Sequence, residues 1–144
     1  MRLRSLVASS AAALLYISGV AAPAEAATSS YGYFGPVAGH NYRDYSEISS
    51  VIGAPSAAST IQDISGGPVG AGWMGVLPRS FVNDNLCYQP SDYYYNPNGT
   101  QYVLSDAANA SCGPGPYSSQ GVVKAWNGTS YGAWYTFSSP FQNF

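Results

Sequence analysis

Gln120-Gly-Val-Val-Lys-Ala-Trp126 and Thr129-Ser-Tyr-Gly-Ala-Trp-Tyr-Thr-Phe137 are two runs dense in aromatic and β-branched residues, separated only by Asn127-Gly128. Such side chains fit a pleated, half-buried backbone. Asn-Gly is the preferred pair for a two-residue type I′ turn, because both central positions need positive φ. The stretch therefore predicts a β-hairpin with Asn127 and Gly128 as its structural turn. The remainder of the chain must supply strands that pair with it or pack on it.

A two-residue turn would set Trp126 opposite Thr129, Lys124 opposite Tyr131, Val122 opposite Ala133 and Gln120 opposite Tyr135 on one face. The other face would carry Ala125 with Ser130, Val123 with Gly132, and Gly121 with Trp134, since side chains alternate with period two. Val123 and Ala125 are the expected core positions: small residues let a second sheet approach, and Lys124 marks the opposite face as wet. The rival assignment puts Val122, Ala133, Tyr135 and Phe137 inside, with Lys124 reaching out from the edge.

The chain opens differently. Met1-Arg-Leu-Arg4 is positively charged, Leu6 to Ala22 is mostly apolar, and Ala24-Glu25-Ala26 is an A-x-A cleavage pattern. Residues 1–26 read as a signal peptide cleaved after Ala26, which sends the protein outside the cell. A membrane anchor fits less well: the run is rich in Ala and Ser, is broken by Gly19, and falls short of the roughly 20 residues a span needs.

Beyond Ala26 the cations are Arg43, Arg79 and Lys124, against Asp44, Glu47, Asp63, Asp84, Asp92 and Asp106. So few cations on a weakly acidic chain argue against nucleic acid, whose binding depends on neutralising phosphates, and against an anionic membrane surface. The sequence holds 13 Tyr, 3 Trp and 5 Phe. That composition suits sheets with aromatic surfaces. Cys87 and Cys112 are its two cysteines, and in an exported chain such a pair reads as one disulfide.

Thr28 to Gly39 is rich in Gly, Ser and Tyr, so residues 27–40 read as a mobile lead-in and 41–144 as the folded domain. Strands are predicted around Tyr42–Ser50, Ala58–Ile64, Gly72–Phe81 (interrupted by Pro78, which cannot donate to a ladder), Leu86–Gln89 and Gln101–Leu104. Turn signals stand at Gly53-Ala-Pro-Ser56, Gly66-Gly67-Pro68, Asn83-Asp84-Asn85 and Asn96-Pro-Asn-Gly99, and Ala110–Pro116 reads as a loop. Short strands punctuated in this way predict an all-β, single antiparallel β-sandwich or barrel with no helix.

Catalytic and cofactor signals are thin. Gly70-Ala-Gly72-Trp-Met-Gly75 matches G-x-G-x-x-G, but a dinucleotide site needs a strand before it and a helix after it; here Gly-Gly-Pro precedes and Pro78 follows. His40 is the only histidine, and with two paired cysteines it cannot build a zinc site. No serine sits in a nucleophile elbow. Asp84, Asp92 and Asp106 lie in turn-like sequence, where carboxylates cap and solvate. No catalytic residue, metal or cofactor is therefore expected.

The aromatics carry the functional signal. Tyr93, Tyr94 and Tyr95 fall in the loop spanned by the cysteines, while Trp126 and Tyr131 flank the hairpin turn. Rigid rings held by a sheet can stack on sugars or anchor a protein partner at low entropic cost.

Ala71-Gly-Trp-Met-Gly75, Leu86-Cys87, Cys112-Gly-Pro-Gly-Pro-Tyr117, and Gly121-Val-Val-Lys-Ala-Trp-Asn-Gly128 with Tyr131 and Ser139-Pro140 resemble a group of small secreted proteins of filamentous Gram-positive bacteria. The resemblance spans Gly35 to the C-terminus. A looser similarity, of composition and architecture, runs to lactococcin-type β-sandwich bacteriocins. Neither supplies a catalytic residue. The resulting expectation is a secreted, non-catalytic interaction module that binds cell-wall polysaccharide or a secreted protein through Tyr93, Tyr94, Tyr95, Trp126 and Tyr131. The alternative expectation is a secreted antibacterial protein, or an adaptor subunit of a larger toxin particle.

Overall fold

A computed structural model describes residues 26–99 and 102–144. The expected signal peptide falls almost wholly on residues outside these. The fold is all-β and antiparallel, with no helix among the described residues.

One layer is built on a long hairpin of β3 (His40–Val51) and β4 (Ala54–Asp63), paired from Tyr42 with Asp63 to Val51 with Ala54. β9 (Val103–Asn109) extends it along β4. Along the free edge of β3 run β1 (Ala27–Thr28) and β2 (Gly32–Val37), with Ala27 opposite Ile48 and Gly32 opposite Asp44. The residues expected to form a mobile lead-in are thus corrected to edge strands. The physical reason is non-local: β3 presents a row of backbone N–H and C=O groups that need partners.

The facing layer consists of two four-stranded sheets. One holds β5 (Met74–Leu77), β8 (Tyr94–Tyr95), β11 (Val122–Trp126) and β12 (Tyr131–Tyr135), in the order β12-β11-β5-β8. The other holds β6 (Ser80–Val82), β7 (Asn85–Tyr88), β10 (Pro116–Ser119) and β13 (Gln142–Asn143), in the order β13-β10-β6-β7. β5 pairs with β11 through Leu77 and Val122, and β6 pairs with β10 through Ser80 and Ser119. The register carries across the break, so the two sheets are one ladder bent at Pro78-Arg79 and Gln120-Gly121. Pro78 offers no N–H. Arg79 closes the gap instead, its Nε donating to the Gln120 carbonyl at 2.9 Å and its backbone C=O accepting from Gln120 N at 3.2 Å.

The core divides at this bend. Tyr42, Ile61, Val69, Met74, Val76, Leu104, Val123 and Ala125 fill one half, and Ile48, Ala57 and Tyr117 the other. Between them the layers meet through small polar residues. The Ser46 hydroxyl lies 2.8 Å from the Ser119 carbonyl and 2.7 Å from that of Phe137, and Ser119 Oγ donates to the Ala58 carbonyl at 3.1 Å. Gly121 permits this close approach, because a β-carbon there would overlap the Ser59 side chain.

The terminal hairpin exists, but its register is corrected. Trp126 pairs with Tyr131, Lys124 with Ala133, and Val122 with Tyr135, a shift of two residues. Asn127 is not at positive φ; only Gly128 is, at 99°. The Asn127 side-chain carbonyl accepts the N–H groups of Thr129 (2.9 Å) and Ser130 (2.8 Å), and Asn127 N donates to Ser130 O at 2.9 Å. This side-chain turn makes Asn127 to Ser130 a four-residue loop. The face assignment holds, since Val123 and Ala125 are fully buried. Two-residue loops with positive φ at both positions, as a type I′ turn requires, occur instead at Ala38-Gly39, Ile52-Gly53 and Asn83-Asp84.

One further segment differs from expectation. β9 continues to Asn109 through weak strand formers, because β4 pairs it over its whole length. The loop after it holds until Pro116 begins β10. The expected disulfide joins Cys87 in β7 to Cys112, with Cα atoms 5.9 Å apart. The buried Tyr117 ties that loop down: its phenol donates to Gly113 O and accepts from Cys112 N, each at 2.7 Å.

Candidate functional site

On β11, alternation sends Val123 and Ala125 inward and Lys124 and Trp126 outward. Cross-strand pairing then aligns Ala133, Lys124, Gly75 and Tyr95 in one row, with Trp126 and Tyr131 in the next. The outer face of this sheet is therefore a continuous aromatic surface.

Its rings touch in series. Trp126 and Tyr131 have centroids 5.0 Å apart, Tyr131 and Tyr95 5.3 Å, and Tyr95 and Tyr93 6.1 Å. Tyr95 lies over Gly75, where a β-carbon would come within 2.8 Å of its ring. Lys124 Nζ stands 3.7 Å from the Tyr93 centroid and 6.0 Å from that of Tyr131. Arg79 places its guanidinium carbon 5.0 Å from the Tyr135 centroid. Burial first, and then the neighbouring Tyr135, pushes the Tyr93 phenol up, with Arg79 acting against it. The Tyr95 phenol is likewise raised by burial, then by Tyr131 and Tyr93. Raised in this way, the Tyr93 and Tyr95 phenols stay neutral near pH 7 and carry hydrogen-bonding O–H groups.

The loops beneath are pinned. Asn96 Oδ1 accepts from Met74 N at 2.8 Å, and its Nδ2 donates to Gly70 O and Asn98 O. The Tyr131 hydroxyl donates to Gly72 O at 2.6 Å. The G-x-G-x-x-G pattern thus has a packing explanation: Gly70 makes room for Trp73, Gly72 (φ 74°) turns its carbonyl to Tyr131, and Gly75 seats Tyr95.

Of the five aromatic residues singled out in the sequence, Tyr93, Tyr95, Trp126 and Tyr131 come together. Tyr94 does not, since alternation along β8 turns it off this face. Lys124, Arg79 and Tyr135 belong to the surface as well. The signal for Lys124 was alternation, which put it on the wet side of the hairpin, whereas Arg79 arrives only through the bend at Pro78.

His40 makes a 2.8 Å contact from Nδ1 to Asp63 Oδ2, and Asp63 Oδ1 accepts from Ser65 N. Among the described residues no hydroxyl is hydrogen-bonded to the other ring nitrogen, and no group of three potential metal ligands forms. Asp84 sits in a positive-φ turn, Asp92 accepts the Ser91 hydroxyl, and Asp106 lies on β9. Comparison with known protein families, with curated proteins and with solved structures finds no match to this chain.

Proposed function

We propose that the protein is a secreted binding module that engages a cell-wall glycan through Trp126, Tyr131, Tyr95 and Tyr93. The observation that carries this reading is the unbroken run of rings on one rigid sheet face, with the Lys124 ammonium at its centre. Aromatic faces pack against the C–H faces of sugar rings and need little ordering when a sheet already holds them. The phenol groups and Lys124 supply donors and acceptors for hydroxyl or carboxylate substituents. Secretion draws support from the disulfide, which is favoured by an oxidising compartment.

The test is sedimentation of purified protein with insoluble peptidoglycan, chitin and cellulose. Retention on at least one, reduced tenfold or more by Trp126→Ala and by Tyr131→Ala, is the expected result. Retention on none would overturn the glycan reading and turn the search to a protein partner, as the antibacterial or adaptor role requires.

A further inference from the structure

We propose that the groove between the edge strands β2 and β12 binds one organic cation of the alkylammonium class, with the Asp44 carboxylate as counter-ion. This site adjoins the glycan-binding face and shares Tyr135 with it, but it uses none of Trp126, Tyr131, Tyr95 and Tyr93 and does not depend on that reading.

The groove has a volume of about 420 Å³, and its aromatic walls are Tyr31, Tyr33, Phe34, Trp134, Tyr135 and Phe137. Phe34 and Trp134 stack with centroids 4.1 Å apart, closing its inner end. Asp44 lines it from β3, only 2% exposed, and its buried Oδ1 has no hydrogen-bond partner. Buried polar atoms are nearly always paired, so an orphaned carboxylate oxygen demands an explanation.

Gly32 keeps a side chain off this carboxylate. It lies opposite Asp44 in the β2–β3 ladder, and a β-carbon there would come within 2.7 Å of Asp44 Oδ1. Any other residue would cap the carboxylate.

The surrounding groups make a cation the fitting occupant. From β2, β12 and the adjoining segments the titratable neighbours are the phenols of Tyr31, Tyr33 and Tyr135. Arg43 points away on β3, its guanidinium over Tyr31 at 4.7 Å and its Nε donating to Gln62. Arg79 covers Tyr135. Asp44 faces Ile61 across β4. Among the described residues no cation forms an ion pair with Asp44, and burial raises its pKa. A lone carboxylate among aromatic rings is a poor metal site, but rings attract organic cations and the carboxylate neutralises them. An ammonium also donates the hydrogen bond that Oδ1 lacks, which an apolar ligand cannot.

Isothermal titration calorimetry with N-acetyl-lysine methylamide, cadaverine and the neutral N-acetyl-norleucine methylamide tests this. At pH 7.5 the ammonium probes should saturate and norleucine should not. The tighter of the two separates a lysine side chain from a free amine as the source. Affinity should fall at least tenfold at pH 4.5 and in Asp44→Asn, with folding followed by circular dichroism. Gly32→Ala keeps the charge but covers it, and should also abolish binding. Absence of saturation, equal binding of norleucine, or unchanged ammonium binding in a folded Asp44→Asn or Gly32→Ala variant would overturn the proposal.

Discussion

The ammonium of Lys124 stands 3.7 Å from the centroid of the Tyr93 ring, joining the centre of β11 to the loop before β8. At a half-buried site such a contact contributes about 0.5–1 kcal/mol. A double-mutant cycle of Lys124→Met and Tyr93→Leu, read by urea unfolding, should show a coupling of that size. Additivity of the two single changes would remove the contact as a stabilising element.

Gly121 sits where the bent ladder comes closest to β4. A β-carbon would overlap the Ser59 side chain and approach the Leu77 carbonyl to 3.1 Å. Gly121→Ala should therefore destabilise by about 3 kcal/mol or prevent folding, the upper range for overpacking. Gly67 has open space around it and no positive φ, so Gly67→Ala should be neutral or stabilise slightly through the unfolded chain. Equal effects at the two positions, in chemical denaturation, would contradict the packing at the bend.

The two-turn alternatives for the hairpin differ in one substitution. In a two-residue type I′ turn, Asn127→Gly would be harmless, because glycine accepts positive φ. In the four-residue loop the Asn127 side chain holds Thr129 N and Ser130 N, so Asn127→Gly should cost about 1 kcal/mol. Gly128→Ala should cost about as much, since Gly128 sits at φ 99°. A neutral Asn127→Gly in thermal unfolding would reject the loop.

These positions show where local sequence information ends. Alternation is a local property, and it correctly placed Val123 and Ala125 inside. Register depended on a choice between two uses of Asn127, positive φ or side-chain capping, and the side chain prevailed. Ile52 carries no turn signal, yet takes φ 52° because the long β3–β4 ladder dictates where the chain must reverse. Residues 27–40 look unstructured by composition because their partner, the edge of β3, lies further along the chain. At the outer face, Tyr93, Tyr94 and Tyr95 were visible only as a run of three, and the pairing of β8 with β5 is what excludes Tyr94. Asp44 was hidden for a different reason. It shares the inward face of β3 with Tyr42, Ser46 and Ile48, and a carboxylate in such a mixed pattern reads as a solvated strand residue.

That buried carboxylate makes the stability of the free protein depend on pH. Burial pushes Asp44 up to about 6 from an ordinary 3.8, so the folded state holds its proton more tightly than the unfolded chain. Below about pH 4 the group is protonated in both states and contributes no difference. As pH rises from about 4 to 6 the unfolded chain ionises first and stability falls; above 6 the full penalty, on the order of 3 kcal/mol, is present. Asp44→Asn removes the charge and keeps the shape. Its melting temperature should exceed that of the natural chain at pH 7.5, and the two should converge near pH 4, where both side chains are neutral amides or acids. Scanning calorimetry at these two pH values reads the difference directly. A gap that is constant with pH, or that widens toward acid, would mean that Asp44 is solvated or paired in the folded protein.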